Sequence, residues 1–191
     1  MKNEIVAHND LKIRIEEDFF NSVDSNKLLK KFISKLPWES MIIKMFGKDT
    51  KIPRLQCWIG DEGCEYRYSG KQLNRQIWSQ DLIMIRKKIY KELKIDFNSV
   101  LANYYRDGKD SMGWHSDDEK ELGPNPTIAS ISFGSERDLV FRNKITKETL
   151  AIPQTNGCLI LIDGETQRNW QHSIKKTQKV IGPRINLTFR N

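Results

Sequence analysis

His115-Ser116-Asp117, with His172 following 55 residues after the aspartate, is a set of side chains able to hold a transition metal. Two imidazoles and one carboxylate on one face of an octahedron suit non-haem Fe(II), and they leave the opposite face open for a co-substrate and O₂. A structural metal site would close itself with four ligands, and only three are evident. The chain has 3 His, and the pattern uses two of them. On a strand, residues i and i+2 point the same way. His115 and Asp117 are therefore expected side by side on one strand, with His172 reaching them from a strand end across the mouth of a barrel.

A second constellation lies at Arg184-Ile185-Asn186-Leu187-Thr188-Phe189-Arg190. Read as a strand, it puts Arg184, Asn186, Thr188 and Arg190 on one face and Ile185, Leu187 and Phe189 on the other. Two Arg and an Asn beside a core face are costly to bury unless they meet an anion. Arg184 or Arg190 could grip a carboxylate through two nitrogens at once. Asn103 and Tyr105, which share a strand face, are neutral donors suited to the same task.

The elements that must position these residues follow from periodicity. Asp24 to Leu36 carries Leu28, Leu29, Phe32, Ile33 and Leu36 at helical spacing, and Pro37 stops it. Lys71 to Leu93 reads as a longer amphipathic helix, with Trp78, Leu82, Ile85, Ile89 and Leu93 on one stripe. Both helices are expected on the outside of a sheet. From Ser99 onward the period becomes two: Ala129, Ile131 and Phe133 alternate with Ser130 and Ser132, and Leu139 and Phe141 follow. Gly157 to Ile162 is a continuous apolar run, as a fully buried strand would be. Short strands with Gly-centred turns point to an α+β, mainly β chain built on a double-sheet antiparallel roll.

At 191 residues the chain is long enough for one domain with its own core. Cys57, Cys64 and Cys158 are an odd number without a common zinc spacing, so they read as ordinary thiols in a reducing compartment. No apolar run reaches the eighteen or so residues of a membrane span, and Met1-Lys2-Asn3-Glu4-Ile5 lacks a signal peptide's apolar stretch. The expectation is a soluble, intracellular monomer of the cytoplasm or nucleus with no membrane partner. A net charge of +7 favours a polyanionic partner, because Lys and Arg displace counterions from phosphate backbones.

Asn103-Tyr104-Tyr105, His115-Ser116-Asp117-Asp118-Glu119, Ile128 through Gly134, Arg137-Asp138, His172 and Arg184 through Arg190 together resemble the AlkB family of Fe(II)/2-oxoglutarate dioxygenases. The similarity runs from about Met45 to Arg190, with the motifs in family order. Phe46-Gly47-Lys48, Pro53-Arg54 and Tyr66 through Gly70 make it similar to the animal-type homologues that repair alkylated DNA. The resemblance implies a double-stranded β-helix (jelly-roll) core with flanking N-terminal helices and a nucleotide-recognition lid at about 41–75. Residues 41–191 would form the dioxygenase domain and 1–40 an N-terminal extension with one helix.

It also implies roles. His115, Asp117 and His172 would bind Fe(II), and Asn103, Tyr105, Arg184, Asn186, Thr188 and Arg190 would surround the co-substrate 2-oxoglutarate. Tyr66 and Tyr68 would contact an extruded base, with Asp118 and Glu119 near its exocyclic amino group. Met45-Phe46 would be a hairpin tip filling the gap left by the base, since apolar wedges unstack duplex steps. Gly47 belongs to that tip, and Lys48, Arg54 and Arg67 would contact phosphates. Asp49-Thr50-Lys51 lacks the aromatic expected there, which weakens the grip on duplex rather than the chemistry. The implied activity is oxidative demethylation of 1-methyladenine and 3-methylcytosine in DNA, consuming 2-oxoglutarate and O₂ and releasing formaldehyde, succinate and CO₂. The same oxygenase chemistry on RNA or on a protein side chain is the alternative. A non-catalytic nucleic-acid-binding module that retains the core is a third reading.

Overall fold

The computed structural model describes residues 3–191 apart from 9, 46, 65–66, 69–70, 118–121 and 124, and the side chains at 3, 45, 67, 68 and 71 also stand outside that description. Strands β1 (Asn3–His8) and β2 (Leu11–Glu16) form a hairpin, followed by helix α1 (Ser22–Lys35). Asn21 caps α1 by accepting the Asp24 N–H at 2.9 Å. Leu36 ends it in an extended conformation, as the residue before Pro37 must. Strands β3 (Ile42–Met45), β4 (Lys48–Lys51), β5 (Leu55–Gly60), β6 (Arg67–Tyr68), β7 (Lys71–Gln72) and β8 (Arg75–Gln76) precede helix α2 (Gln80–Leu93).

The long helix expected from Lys71 therefore begins nine residues later, at Gln80. Ser79 starts it by accepting the Leu82 N–H, while β8 pairs with β5 in the sheet. Trp78 still reaches the core, stacked on Phe189 with ring centroids 6.4 Å apart. An extended chain and a helix can thus bury the same apolar stripe.

The remainder comprises β9 (Ser99–Tyr105), β10 (Met112–His115), β11 (Ile128–Gly134), β12 (Arg137–Asn143), β13 (Thr149–Gln154), β14 (Leu159–Ile162), a one-turn helix α3 (Thr166–Asn169), β15 (Trp170–Ile174) and β16 (Arg184–Arg190). A large sheet runs β1-β2-β14-β11-β16-β9-β5-β8 and faces a small one ordered β10-β15-β12-β13. This is the jelly-roll arrangement of two facing sheets, antiparallel throughout except where β8 runs parallel to β5 at the edge of the large one. Two ribbons, β3–β4 and β6–β7, stand apart from both sheets. The first forty residues supply α1 and, in β1 and β2, two strands that extend the large sheet beyond β14.

Two apolar layers flank the large sheet. Leu28, Phe32, Leu82, Ile85 and Ile89 of the helices pack on its outer face with Phe133, Ile185, Leu187 and Phe189. Leu11, Ile13, Ile128, Leu139, Phe141, Ile162 and Trp170 fill part of the space between the sheets. Burying Ile185, Leu187 and Phe189 contributes roughly 1.5–3 kcal/mol each. That anchorage lets β16 turn a polar face toward the small sheet. Gly134 ends β11 at φ +95, where a Cβ would lie 2.3 Å from the Pro183 carbonyl oxygen.

Candidate metal centre

Antiparallel pairing of β10 and β15 sets His115 opposite His172, with ring centroids 4.2 Å apart. This corrects the expectation that His172 comes from a strand end across the barrel mouth: it lies in mid-strand, on the neighbour of the strand that carries His115. Directly opposed residues have close Cβ atoms, so one register brings both imidazoles together. Asp117 also departs from expectation. It lies two residues past the end of β10, in a bend, so strand alternation does not aim its carboxylate.

Other contacts hold that bend. Ser116 Oγ donates to the Trp170 carbonyl at 3.0 Å, and the Asp117 N–H donates to Gln167 Oε1 at 3.1 Å. Across the gap between the sheets, Arg190 Nη2 donates to Asp117 Oδ1 at 2.6 Å. The other oxygen, Oδ2, lies 3.6 Å from His172 Nε2. One ligand atom from each of His115, Asp117 and His172 falls within 4.8 Å of the others. His115 Nδ1 is 3.0 Å from the Gly113 carbonyl, which favours the tautomer that leaves Nε2 free to ligate.

Charge suits the same purpose. Burial alone would raise the Asp117 carboxyl, but Arg190, His172 and His115 together hold it well below the usual carboxylate range. Burial, with the neighbouring His115, pushes His172 down to about 3. A metal thus meets a carboxylate and a neutral imidazole, the protonation states that ligation requires.

Beside this cluster, β16 is paired with β11 and β9, bringing Asn186 level with Ser132 and Asn103, and Arg184 level with Tyr105. Arg184 is buried; its Nη2 donates to Ser132 Oγ at 2.9 Å and also to Gln154 Oε1. Its Nε and Nη1 have no hydrogen-bond acceptor among the described residues. The guanidinium lies 5.0 Å from the Tyr105 ring, and burial lowers its pKa against the opposing influence of Tyr105. Asn186 Nδ2 donates to Ser130 Oγ at 2.8 Å, and Thr188 Oγ1 donates to Asn186 Oδ1 at 3.0 Å. Asn103 Oδ1 accepts from Arg54 Nε and Gln56 Nε2, both at 2.9 Å, while its Nδ2 lacks an acceptor among the described residues. One cavity is lined by Tyr105, Asp117, His172, Asn186, Thr188 and Arg190.

The donor set passes the test for the group it suggests. Two imidazoles and a carboxylate fit Fe(II). A buried guanidinium with two unanswered nitrogens, beside an unanswered amide N–H₂, fits the carboxylates of a small dicarboxylic acid. The two Arg are held differently: Arg190 Nη2 donates to Asp117, and Arg184 Nη2 donates to Ser132 and Gln154.

Arg54 overturns its expected role at phosphates. It is 2% exposed, bonds Asn103, and donates through Nη1 to the Ser111 carbonyl at 3.3 Å. An Arg immediately before a strand such as β5 gives no sequence cue that it is buried. Lys48 does lie exposed, next to Gly47 at φ +77 in the β3–β4 turn. Phe46, Tyr66, Asp118 and Glu119 fall outside the described residues, and of Tyr68 only the backbone, in β6, is described. Gln154 and Gln167 were not singled out from sequence. Ser130 and Ser132, alternating inside an apolar strand, were the available sign of a polar interior.

Comparison with known proteins agrees with this geometry. The model of the 2OG-Fe(II) oxygenase superfamily matches residues 12–190. Human DNA oxidative demethylase ALKBH2 is 40% identical over 156 residues, covering 78% of this chain and 60% of its own length. Mouse alpha-ketoglutarate-dependent dioxygenase alkB homolog 3 is 34% identical over 181 residues, covering 90% of this chain and 63% of its own length. The chain therefore spans less than two thirds of each of these relatives. Among solved structures, OsALKBH1 superposes with a TM-score of 0.66 at 14% identity, over 94% of this chain and 97% of that one, which speaks to the fold. No helix among the described residues is long and apolar enough to cross a membrane.

Proposed function

The chain belongs to the 2OG-Fe(II) oxygenase superfamily, on the AlkB branch with its curated relatives, and on that premise we propose that it oxidatively demethylates N-alkylated bases in DNA, 1-methyladenine and 3-methylcytosine foremost. The observation that carries the reading is the convergence of His115, Asp117 and His172 within 4.8 Å, on a cavity that Tyr105, Asn186 and Arg190 also line. When bound, Fe(II) and 2-oxoglutarate supply O₂-dependent hydroxylation of the N-methyl carbon, with the oxo acid going to succinate and CO₂ and the methyl leaving as formaldehyde.

The chain's own residues have separable tasks. His115, Asp117 and His172 hold the metal, and Arg190 fixes Asp117 Oδ1 so that Oδ2 is turned to the His172 side. Arg184 binds the far carboxylate of the co-substrate, with Tyr105 beside it and the Asn103 amide as a further donor. Ser130, Ser132 and Gln154 hold Asn186 and Arg184 in place. The apolar layer between the sheets keeps water from one side of the cavity.

Nucleic acid as substrate is supported by the net charge of +7 and by the names its relatives carry. A methyl group on the pairing edge is out of reach in a duplex, so the base must be extruded. N1-methyladenine and N3-methylcytosine are cationic, which suits carboxylates such as Asp118 and Glu119. Phe46 as wedge, Tyr66 and Tyr68 as base contacts, and Gly47 and Lys48 as a turn at the phosphates complete the proposal, for a soluble protein acting in the nucleus or cytoplasm as a monomer.

The test is formaldehyde release from an oligonucleotide carrying one 3-methylcytosine, with Fe(II) and 2-oxoglutarate each added or withheld. Release that requires both supports the reading. Release from methylated RNA or a methylated peptide, but not from DNA, would move the same chemistry to another substrate.

A further inference from the structure

Asp117 sits beyond the strand that was expected to aim it, so something else must fix its backbone. The contact that does so comes from α3. Gln167 is 2% exposed, and its Oε1 accepts the Asp117 N–H at 3.1 Å. Its Nε2 is buried without an acceptor among the described residues, so the amide is kept in place at a cost in stability. The one-turn helix around it is tied down on several sides. Thr166 Oγ1 accepts the Lys12 N–H at 3.0 Å, and the Gln167 carbonyl accepts from Lys144 Nζ at 2.8 Å. Gly164 presses so closely on Asn125 that a Cβ there would fall 1.9 Å from the Asn125 carbonyl oxygen. Gln167 is therefore a rigid post, and α3 runs directly into β15, which carries His172.

We infer that Gln167 is a positioning residue for the metal centre: its side-chain oxygen tethers the Asp117 backbone to α3, which leads directly into the strand that carries His172, so that the carboxylate and the imidazole keep one geometry before metal arrives. The inference rests on the metal-centre reading above. Outer contacts that orient ligands typically set metal affinity by about 10–100-fold.

The test compares Mn(II) binding, by intrinsic tryptophan fluorescence and electron paramagnetic resonance, in the wild type, Asp117→Ala, Gln167→Met and Gln167→Glu. Methionine keeps the volume and removes the acceptor; glutamate keeps the acceptor. The expected result is binding weakened by about 10–100-fold in Gln167→Met and close to wild type in Gln167→Glu, at similar metal-free melting temperatures. Wild-type affinity in Gln167→Met, with binding lost in Asp117→Ala, overturns the inference and leaves the metal centre standing. Failure of the wild type to take up Mn(II) removes the metal centre and the inference together. Independently of any variant, the Asp117 amide of the metal-free wild type should exchange slowly with deuterium; exchange at the rate of an open loop would overturn the tether.

Discussion

Asn103, Asp117, His172 and Arg184 are all less than a tenth exposed; the first, second and fourth are hydrogen-bonded to Gln56, Gln167 and Ser132, and His172 lies 3.6 Å from Asp117. The β3–β4 ribbon has strands of four residues, with Ile42 52% exposed and Gly47, Lys48 and Asp49 open to solvent, and β6–β7 has strands of two. Isolated two-stranded ribbons are marginal on their own and readily altered. Polar groups in a dry, low-dielectric interior interact strongly and tolerate little displacement. The two regions therefore divide the work. On the proposed function, cavity residues would set whether the reaction occurs, and ribbon residues how a substrate is held.

The division is tested hardest at the metal ligands. His115→Ala should abolish formaldehyde release while shifting the melting temperature little, because His115 is only half-buried. Asp117→Ala should abolish it too and also cost about 3–5 kcal/mol of stability, since Arg190 would be left buried without its carboxylate. Chemical denaturation of the two variants checks the contrast. Wild-type turnover in either variant would break it.

Arg184→Met comes next in size. Charge-assisted hydrogen bonds to a buried carboxylate are worth about 1.5–3 kcal/mol, so the KM for 2-oxoglutarate should rise by roughly 10–150-fold. The KM for the oligonucleotide should stay put. A change confined to the oligonucleotide would mean that the cavity and the ribbons are not separate in function.

How much of this could be read beforehand depends on the range of the interaction. The faces of β16 follow from alternation alone: Ile185, Leu187 and Phe189 against Arg184, Asn186, Thr188 and Arg190. The helix from Ser22 to Lys35 follows from local spacing and from Pro37. The register His115 opposite His172 does not, because nothing within either segment says which strands become neighbours. The pairing of β2 with β14 is equally long-range, which is why the sequence ahead of α1 does not announce the two strands that extend the large sheet. Gln167 has no helical or strand periodicity that would distinguish a buried tether from a solvated amide. The stripe from Lys71 misled in a different way, since Trp78 joins it from a non-helical segment ahead of Ser79 and still stacks on Phe189.

Arg54 and Lys48 give the finest comparison, because in sequence both read as cations six residues apart that could meet phosphate. Arg54 lies inside, bonded to Asn103 and Ser111, and Lys48 lies outside on the ribbon turn. Arg54→Ala should cost about 1–3 kcal/mol of stability and raise the KM for 2-oxoglutarate, because Asn103 loses a donor that orients it. It should leave the salt dependence of oligonucleotide binding unchanged. Lys48→Ala should leave stability within about 0.5 kcal/mol of wild type. Each phosphate contact releases counterions, so its loss should make the slope of log K against log[salt] shallower by about 0.7 for single strands or 0.9 for duplex. Binding titrations across a salt series measure both variants on one axis. A shallower slope in Arg54→Ala with none in Lys48→Ala would reverse the assignment and move the nucleic-acid path from the ribbon to the rim of the cavity, because only a cation that reaches the phosphates can change the number of ions released.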